Sequence, residues 1–434
     1  MAVILAYGSP GIGHLYPMAA LLGELTARGH QVHLRTMAGE VQAMRHAGLR
    51  AEAIDARIEG VDGQDWRART ALGVLKRSTE VFCHRGAIEV EDYTRAVKQV
   101  RPDAAIVDAN CWGAMSAAEV GDVAWSVFSP FTPYLRSRHA PPFGPGLAPR
   151  SGLLGRLRDH GVQTVAELLF DRRIMPTLNV IRAQLGAASV PTVDALMRKP
   201  PLLLAVGGEP FEYPRPDWPA SVHFIGACVA ATPAAAPPEW LTAIDRPIIV
   251  VSTSSIAQND ARLGRVALRA LANEPVHVVA SFPAGIPQDL PRTANSTICR
   301  FIAHEVLLDR VVCVVTHGGM GTTVKALERG VPVCAVPFGR DQAEVARRVE
   351  LCAAGSRLPA ARLGPRRLRN AVRRAVTMTA GAHRVAAGFA ATGGVARGAD
   401  LIEGQLLGIR GLGSGGSCGG RNPAGGGSAS GFVP

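Results

Sequence analysis

The stretch Val311–Gln342, which reads VVCVVTHGGMGTTVKALERGVPVCAVPFGRDQ, contains two short apolar runs separated by a glycine-rich loop and a helical segment. The runs Val311–Thr316 and Val331–Val336 have the length and continuous hydrophobicity of strands that are buried on both faces. The helical segment extends to Glu328, and Gly330 is a helix stop signal. Buried strands joined by a helix are typical of parallel sheets, so the stretch predicts a doubly wound α/β domain.

The same alternation of strands and helices occurs in both halves of the chain. Further strands are predicted at Ala2–Tyr7, His30–Thr36, Arg50–Ile54, Ala104–Val107, Val123–Phe128, Leu202–Val206, Pro247–Val251, Val276–Ala280 and Thr297–Ile302. A chain of 434 residues is too long for one ordinary domain. We therefore predict two Rossmann-like, doubly wound parallel-sheet α/β domains that face a common cleft.

Composition suggests where these domains begin and end. The predicted N-terminal domain spans residues 1–226 and precedes an Ala/Pro-rich linker at 227–240. The predicted C-terminal domain, with a terminal helix, spans residues 241–410. Residues 411–434 are rich in Gly and Ser and lack apolar periodicity, so we expect them to be a disordered tail.

Charge and cysteine usage exclude several classes of protein. The net charge is +12, but the arginines are spread along the chain without interleaved aromatic residues, which argues against nucleic-acid binding. We favour a solvated basic surface that suits an anionic substrate or an anionic membrane face. The eight cysteines form no CxxC pair, and the sequence has neither a membrane-spanning apolar run nor a signal peptide. We expect a cytoplasmic protein, with contact at the inner face of the membrane as an open alternative.

The loop that begins at His317 has the features of an anion site. Its glycines let backbone N–H groups approach a ligand, and the following helix N-terminus adds partial positive charge. Thr322 and Thr323 supply hydroxyl groups in the first helical turn. Ligands of such sheets bind beyond the carboxyl ends of the strands, so the loop predicts a diphosphate site. After the next strand, Asp341 and Gln342 offer a carboxylate and an amide, a pairing that suits a polyol such as a sugar.

A second glycine-rich loop, Gly8–Pro17 (GSPGIGHLYP), follows the first predicted strand. It matches only part of the GxGxxG pattern of dinucleotide-binding proteins, because Tyr16 stands where the last glycine is expected. The second strand ends in Arg35-Thr36 and lacks the acidic residue of NAD sites. Since Arg35 could contact the phosphate of NADP, an NADP-dependent oxidoreductase stays open.

Taken together, Thr316–Gln342 and the pattern Gly-x-Gly-His-x-x-Pro at Gly11–Pro17 resemble the donor and acceptor motifs of family 1 glycosyltransferases, which have the GT-B fold. The similarity is to bacterial enzymes that glycosylate macrolides, other secondary metabolites and glycolipids. The resemblance implies that the N-terminal domain binds the acceptor and the C-terminal domain binds a nucleoside-diphosphate sugar. The donor-binding residues that it implies are Phe301, His317, Gly319, Gly321, Thr322, Thr323, Asp341 and Gln342, with Ser255 as a further phosphate ligand.

The resemblance also assigns His14 as the general base. Imidazole, with an ordinary pKa near about 6.5, can take a proton from an acceptor hydroxyl at neutral pH. A carboxylate should hold its other nitrogen, and Asp108, at the carboxyl end of its strand, is our candidate. The alternative role for Asp108 is capping the next helix. Asp103 is a rival acid but precedes the strand, at the opposite edge of the sheet.

Three positions differ from the family's usual motifs. Lys325 stands where many members have a ribose-binding Glu, Ala303 replaces a usual Pro, and Ser254 replaces a common Gly. The proline-rich loop, residues 130–150, is expected to be ordered. In this family such loops line the acceptor pocket, which implies roles for Phe131, Tyr134 and Phe143; a surface loop without ligand contact is the alternative.

The resemblance thus implies an inverting hexosyltransferase that acts on a hydroxyl of a hydrophobic small molecule or lipid. It should need neither a cofactor nor a metal ion and should be a monomer or homodimer. Three alternatives remain: an epimerase or hydrolase of nucleotide sugars on the same fold, an NADP-dependent oxidoreductase, and a non-catalytic nucleotide-sugar-binding protein.

Overall fold

The computed structural model describes residues 1–61, 71–229, 238–255, 258–303 and 306–409. The predicted tail at 411–434 and most of the predicted linker at 227–240 lie outside these ranges, as does the start of a helical region that we expect over residues 66–100.

Within these ranges, thirteen strands form two sheets in which every strand pair is parallel. The first sheet contains β1 (Val3–Tyr7), β2 (Gln31–Thr36), β3 (Arg50–Ala53), β4 (Ala104–Asp108), β5 (Ala124–Ser129), β6 (Leu203–Ala205) and β7 (Val222–Phe224). The second contains β8 (Ile248–Ser252), β9 (His277–Ser281), β10 (Ser296–Cys299), β11 (Val311–Thr316), β12 (Val333–Ala335) and β13 (Gly355–Arg357).

Helices connect these strands. In the first half they are α1 (Ile12–Ala27), α2 (Val41–His46), α3 (Ala56–Glu59), α4 (Ala71–Val100), α5 (Trp112–Val120), α6 (Gly152–Gln184) and α7 (Val193–Met197). In the second half they are α8 (Glu239–Thr242), α9 (Ala261–Leu271), α10 (Met320–Glu328), α11 (Gln342–Leu351), α12 (Pro365–Val376), α13 (Thr379–Thr392) and α14 (Gly394–Gln405).

The strand order confirms the predicted fold class of two doubly wound sheets. The first sheet runs β3-β2-β1-β4-β5-β6-β7 and the second runs β10-β9-β8-β11-β12-β13. The order therefore reverses between β1 and β4 in the first sheet and between β8 and β11 in the second. Ligands of such sheets bind in the crevice at this reversal, beyond the carboxyl ends of the strands.

Each sheet has a central strand that is buried along its whole length. β4 (AAIVD) and β8 (IIVVS) are buried at every position. Continuous burial is expected because helices cover both faces of a parallel sheet. The loops after these strands consequently start from rigid positions.

The terminal helix α14, which the sequence assigned to the C-terminal domain, packs against α1 of the first half. Arg28, directly after α1, makes ion pairs of 2.7 Å with Asp400 and with Glu403. The same Glu403 contacts His30 at 2.9 Å. The end of the described chain thus ties the second half to the first.

Among the described residues, no helix combines the length and hydrophobicity needed to cross a membrane.

Candidate active site

His14 and Asp108 form a hydrogen-bonded pair where the first sheet reverses its order. His14 lies in the first turn of α1, directly after the β1 loop, and Asp108 is the last residue of β4. Nδ1 of His14 lies 3.0 and 2.9 Å from the two carboxylate oxygens. The Asp108 side chain is fully buried, whereas the His14 side chain is 21% exposed. Because a carboxylate only accepts hydrogen bonds, Nδ1 carries the proton and Nε2 is the unprotonated nitrogen of the neutral ring.

The surroundings of Asp108 favour orientation of His14 over helix capping. The residue at the N-cap of α5 is Cys111, without a side-chain cap bond, whereas Asp108 accepts a 2.9 Å hydrogen bond from the backbone N–H of Asn110. Asp103, the rival acid, instead accepts from the backbone N–H of Val3 at 2.8 Å, at the opposite edge. Asn110 also places its Nδ2 atom 3.4 Å from Nε2 of His14.

A buried cation lies behind this pair. Arg85 of α4 donates to the Ser9 hydroxyl at 3.2 Å and makes a 3.1 Å ion pair with Glu89. Burial alone would lower the pKa of Arg85, but the surrounding negative charges, Glu89 and Asp108 among them, raise it overall. Burial also raises the pKa of Glu89 despite the neighbouring guanidinium. Arg85 therefore stays positively charged next to the loop that carries His14.

The three aromatic residues predicted to bind the acceptor form a continuous row that starts at His14. The ring of Phe131 lies 5.6 Å from the imidazole, centroid to centroid. Tyr134 lies 5.1 Å from Phe131, and Phe143 lies 5.1 Å from Tyr134. Edge-to-face contacts at these separations are favourable for aromatic rings. The proline-rich loop thus provides an apolar wall beside the imidazole.

His317 lies at the carboxyl edge of the second sheet, after one of the two strands between which that sheet reverses its order. It follows β11, and the N-cap of α10 is Gly319. A Cβ atom at position 319 would lie 2.5 Å from Nε2 of His317, so glycine is needed to leave room for the ring. Burial lowers the pKa of His317, although the carboxylates of Asp260 and Asp341 act in the opposite direction. At neutral pH the side chain is therefore an uncharged imidazole beside a helix N-terminus.

The other predicted phosphate ligands surround the same helix end. Gly321 and Thr322 are half-buried in the first turn of α10, whereas Thr323 is fully buried and its hydroxyl has no hydrogen-bond partner in the described part of the chain. Ser255 follows β8, whose last residue, Ser252, pairs with Thr316 of β11. The loops after β8 and β11 therefore begin side by side.

Asp341 and Gln342 differ in their freedom to contact a ligand. The Gln342 side chain is 2% exposed; its Oε1 accepts from the backbone N–H groups of Phe338 (2.8 Å) and Gly339 (3.1 Å), and its Nε2 donates to Gln258. Asp341 makes no cap bond to α11. Burial raises its pKa, although positive charge on His14, His317 and Arg340 would lower it. The Gln342 amide is therefore occupied by contacts within the protein. The pKa of the Asp341 carboxyl, by contrast, is affected by charged groups of both halves.

Phe301 stands apart from the other donor candidates. The sequence placed it inside a strand, Thr297–Ile302, but β10 ends at Cys299, so Phe301 belongs to the following loop. Its side chain is 73% exposed. β10 is also the edge strand, three places from β11 in the sheet. His304, three residues further along, lies outside the described residues.

The two halves meet at Tyr134. Burial raises the pKa of its hydroxyl, and the negative charges of Asp341 and Asp108 add to the effect. Tyr134 therefore interacts electrostatically with Asp341, the predicted ligand of the sugar, and with Asp108, the predicted partner of His14. One predicted residue of each domain, Asp108 and Asp341, thus contributes to the electrostatic environment of Tyr134.

Four further residues belong to this site but were not predicted from the sequence: Asn110, Gln258, Asp260 and Glu344. Asp260 accepts from the backbone N–H of Ser254 at 2.6 Å and lies 3.7 Å from Nδ1 of His317. The position of Asn110, two residues after Asp108 in the same loop, was a usable signal. Nothing local in the sequence distinguishes Gln258 or Glu344 from surface residues.

The NADP alternative loses its main support. Arg35, the residue that would contact the phosphate, makes a 2.8 Å ion pair with Glu52 and donates to Gln99. Its side chain is only 10% exposed. Over the described ranges, no group of three His, Cys, Asp or Glu residues could hold a metal ion.

Comparison with known proteins gives the family. The family described as "Erythromycin biosynthesis protein CIII-like, C-terminal domain" matches residues 265–396. The chain is 34% identical over 427 residues to 4'-demethylrebeccamycin synthase of Lentzea aerocolonigenes, covering 93% of this chain and 100% of the relative. It is 25% identical over 421 residues to demethyllactenocin mycarosyltransferase of Streptomyces fradiae, covering 94% of this chain and 87% of the relative.

Solved structures agree with the fold. The glycotransferase of kitacinnamycin superposes with a TM-score of 0.72 at 22% identity, covering 93% of this chain and 99% of that structure. The two parallel sheets therefore form a GT-B fold. With a relative of 34% identity that is matched over its whole length and over 93% of this chain, the chain belongs to the family 1 glycosyltransferases and is an enzyme that transfers sugars.

Proposed function

We propose that this enzyme moves a hexosyl group from a nucleoside-diphosphate sugar to a hydroxyl group of a hydrophobic small molecule or lipid, with inversion of the anomeric centre. The observation that carries this proposal is the His14–Asp108 pair, because it leaves Nε2 unprotonated in a ring that packs against an aromatic wall. The carboxylate of Asp341, the proposed ligand of the donor sugar, is close enough to the His14 imidazole for a charge on His14 to lower its pKa.

The reaction is a single displacement. Nε2 of His14 takes the proton of the acceptor hydroxyl while its oxygen bonds to the anomeric carbon. The bond from that carbon to the diphosphate breaks, and the diphosphate leaves with the electron pair. Asp108 stabilises the imidazolium that forms. Attack from the side opposite the leaving group inverts the centre.

The leaving diphosphate is stabilised by protein groups in this proposal. The α10 N-terminus directs unpaired N–H groups and partial positive charge toward the loop at His317. Such pre-oriented donors can replace a divalent cation. We therefore propose that no metal ion is required.

The aromatic row supports a hydrophobic acceptor. The row of Phe131, Tyr134 and Phe143 begins at the His14 imidazole, whose Nε2 atom would receive the proton of the reacting hydroxyl. Because one relative is named 4'-demethylrebeccamycin synthase, precursors of that class of compound belong in the first set of acceptors, together with phenols and polyketides.

The test is incubation with UDP-, dTDP- and GDP-sugars, each with and without the acceptor set, followed by mass spectrometry and NMR of the product. Glycoside formed only when an acceptor is present, with the anomeric configuration opposite to that of the donor, supports the proposal. Release of free or epimerised sugar without an acceptor would instead assign a hydrolase or epimerase. Retained configuration would exclude the single displacement, and full activity of H14A would exclude His14 as the base.

A further inference from the structure

The proline-rich loop of the first half is fixed to a helix of the second half by one buried carboxylate. Glu344 of α11 is 2% exposed. Its Oε1 atom accepts hydrogen bonds from the backbone N–H groups of Gly144 (2.9 Å) and Gly146 (2.7 Å). Its Oε2 atom accepts from Arg348 at 2.8 Å. Both oxygens of this carboxylate are thus used, and one of them is used only by the loop.

The loop lies directly on the first turn of α11. Gly146 has a φ of +62°, and a Cβ atom there would lie 2.3 Å from the carbonyl oxygen of Ala343. The carbonyl oxygen of Gly146 accepts a hydrogen bond from Nε of Arg347 at 2.9 Å. Only glycine satisfies both the backbone conformation and the close approach.

A cluster of buried charges extends this contact. Nε of Arg348 lies 3.1 Å from Glu212 of the first half, and Arg215 donates to the same carboxylate at 3.0 Å. Burial alone would raise the pKa of Glu212, but the charges of Arg348 and Arg215 lower it overall. The Arg348 guanidinium also stacks over Tyr213, 4.6 Å from the ring centroid. Charges buried this deeply are held in fixed positions, because a partner that moves away leaves an uncompensated charge.

The contact between Glu344 and the proline-rich loop lies close in sequence to both the proposed sugar ligand and the proposed acceptor wall. Asp341, the proposed sugar ligand, precedes Glu344 by three residues, at the N-cap of α11. Phe143, the last ring of the aromatic row, is followed directly by Gly144, whose N–H group Glu344 holds. A chain of contacts therefore connects the sugar-binding end of α11 with the wall beside His14.

We infer that Glu344 is a positioning residue that holds the proline-rich loop, and with it Phe143 and Tyr134, in the arrangement that receives the acceptor. The inference rests on the proposed function, since it assumes that this loop binds the acceptor. Glu344 does not touch the reacting atoms; it acts through the backbone of Gly144 and Gly146. Acceptor binding should therefore depend on Glu344, whereas binding of the nucleotide at the His317 loop should not.

The test compares Glu344→Ala with wild-type enzyme by three measurements. The KM of the acceptor should rise roughly ten- to a hundredfold, because two hydrogen bonds to a charged oxygen are lost. The Kd of UDP or dTDP should change less than about twofold, since hydrogen bonds at another site are untouched. Trypsin cleavage of the substrate-free protein after Arg138, inside the loop, or after Arg150, at its end, should become faster. Glu344→Gln keeps an acceptor oxygen for the loop and should give a smaller rise in KM, which covers the case in which the Ala variant does not fold.

Glu274→Ala is the matched control. Glu274 is also a carboxylate of the second half that pairs with an arginine, Arg373 at 2.8 Å, away from the loop. It should leave all three measurements unchanged. An unchanged acceptor KM together with unchanged proteolysis in both Glu344 variants would overturn the inference, and so would a loss confined to kcat. The proteolysis result does not depend on sugar transfer, so failure of the proposed function is distinguishable from failure of this inference.

Discussion

The imidazole of His14 contacts both carboxylate oxygens of Asp108, at 3.0 and 2.9 Å, although the residues are 94 positions apart in the sequence. The contact exists because β1 and β4 are neighbours in the sheet and both point their carboxyl ends to the same edge. A base and its orienting acid are therefore supplied by two adjacent strands. The pairing fixes the tautomer that leaves Nε2 free to accept a proton.

Asp108→Asn should lower kcat by roughly 10²- to 10⁴-fold, because an amide can donate to Nδ1 and so favours the tautomer that carries its proton on Nε2. The side-chain oxygen that accepts from Asn110 is retained, so the melting temperature should change little. Steady-state kinetics with saturating donor and acceptor measure the effect. Asp103→Asn, a carboxylate at the other end of the same strand, should leave kcat unchanged. A kcat of D108N within about threefold of wild type, well short of what general-base catalysis supplies, would contradict the assigned role.

The strand-end residues could be predicted from the sequence because their placement follows from topology. Buried apolar runs separated by helices predict a parallel sheet, and the residue after each run then lies at the carboxyl edge. This reasoning predicted that His14, Asp108 and His317 lie at carboxyl edges, and the structure shows that these edges belong to the strands between which the order reverses. It needed no information about contacts between the halves.

Contacts between the halves could not be predicted in this way. Glu344 is three residues into an amphipathic helix, where a charged side chain ordinarily faces water. Its burial depends on the position of a loop 198 residues earlier in the chain. The return of α14 to α1, and the use of the Gln342 amide inside its own loop, likewise depend on tertiary packing. The length of β10 was mistaken because the apolar run continues past the last paired residue, Cys299.

Phe301→Ala should weaken the binding of UDP or dTDP about fivefold or more, since stacking of an aromatic side chain on a base contributes roughly 1–3 kcal/mol. The side chain is 73% exposed, so its removal should not alter the melting temperature. Isothermal titration calorimetry with the nucleotide and with inorganic diphosphate separates the affinity contributed by the base from that contributed by the diphosphate, because only the nucleotide has a base. Leu351→Ala, an exposed apolar residue at the end of α11, is the control and should leave both affinities unchanged. Equal losses for diphosphate and nucleotide in F301A would argue against stacking.

Asp341→Asn should stabilise the free protein at neutral pH while impairing sugar transfer. The pKa of Asp341 is raised from 3.8 by burial, so the unfolded chain releases this proton at a lower pH than the folded protein does. Stability is therefore lost as the pH rises from about 3.8 through the raised pKa, and the Asn variant avoids this loss. Thermal melts of both proteins should show a higher melting temperature for D341N at pH 7 and convergence of the two below the ordinary Asp pKa.

The same substitution should reduce kcat/KM for the donor roughly ten- to a hundredfold, because hydrogen bonds from sugar hydroxyls to a charged oxygen are replaced by weaker ones to an amide. A variant with a higher melting temperature and undiminished transfer would show that the buried charge of Asp341 has no part in donor binding.

Gly321→Ala should show whether glycine at this position is required for nucleotide binding or for the stability of the protein. A Cβ atom at this position meets no protein atom within 4 Å, and Ala is favoured over Gly in a helix by up to about 1 kcal/mol. The free protein should therefore be as stable as wild type or slightly more stable. If the diphosphate lies against the backbone of the first turn of α10, however, the added methyl group occupies its space. Nucleotide affinity should then fall about tenfold or more, as for the loss of a charge-assisted hydrogen bond. Gly161→Ala, in an open position of α6, should share the gain in stability without the loss of affinity. Unchanged nucleotide binding in G321A would show that the diphosphate does not lie against this helix end. The protein itself leaves room for the methyl group, so only a bound ligand could clash with it.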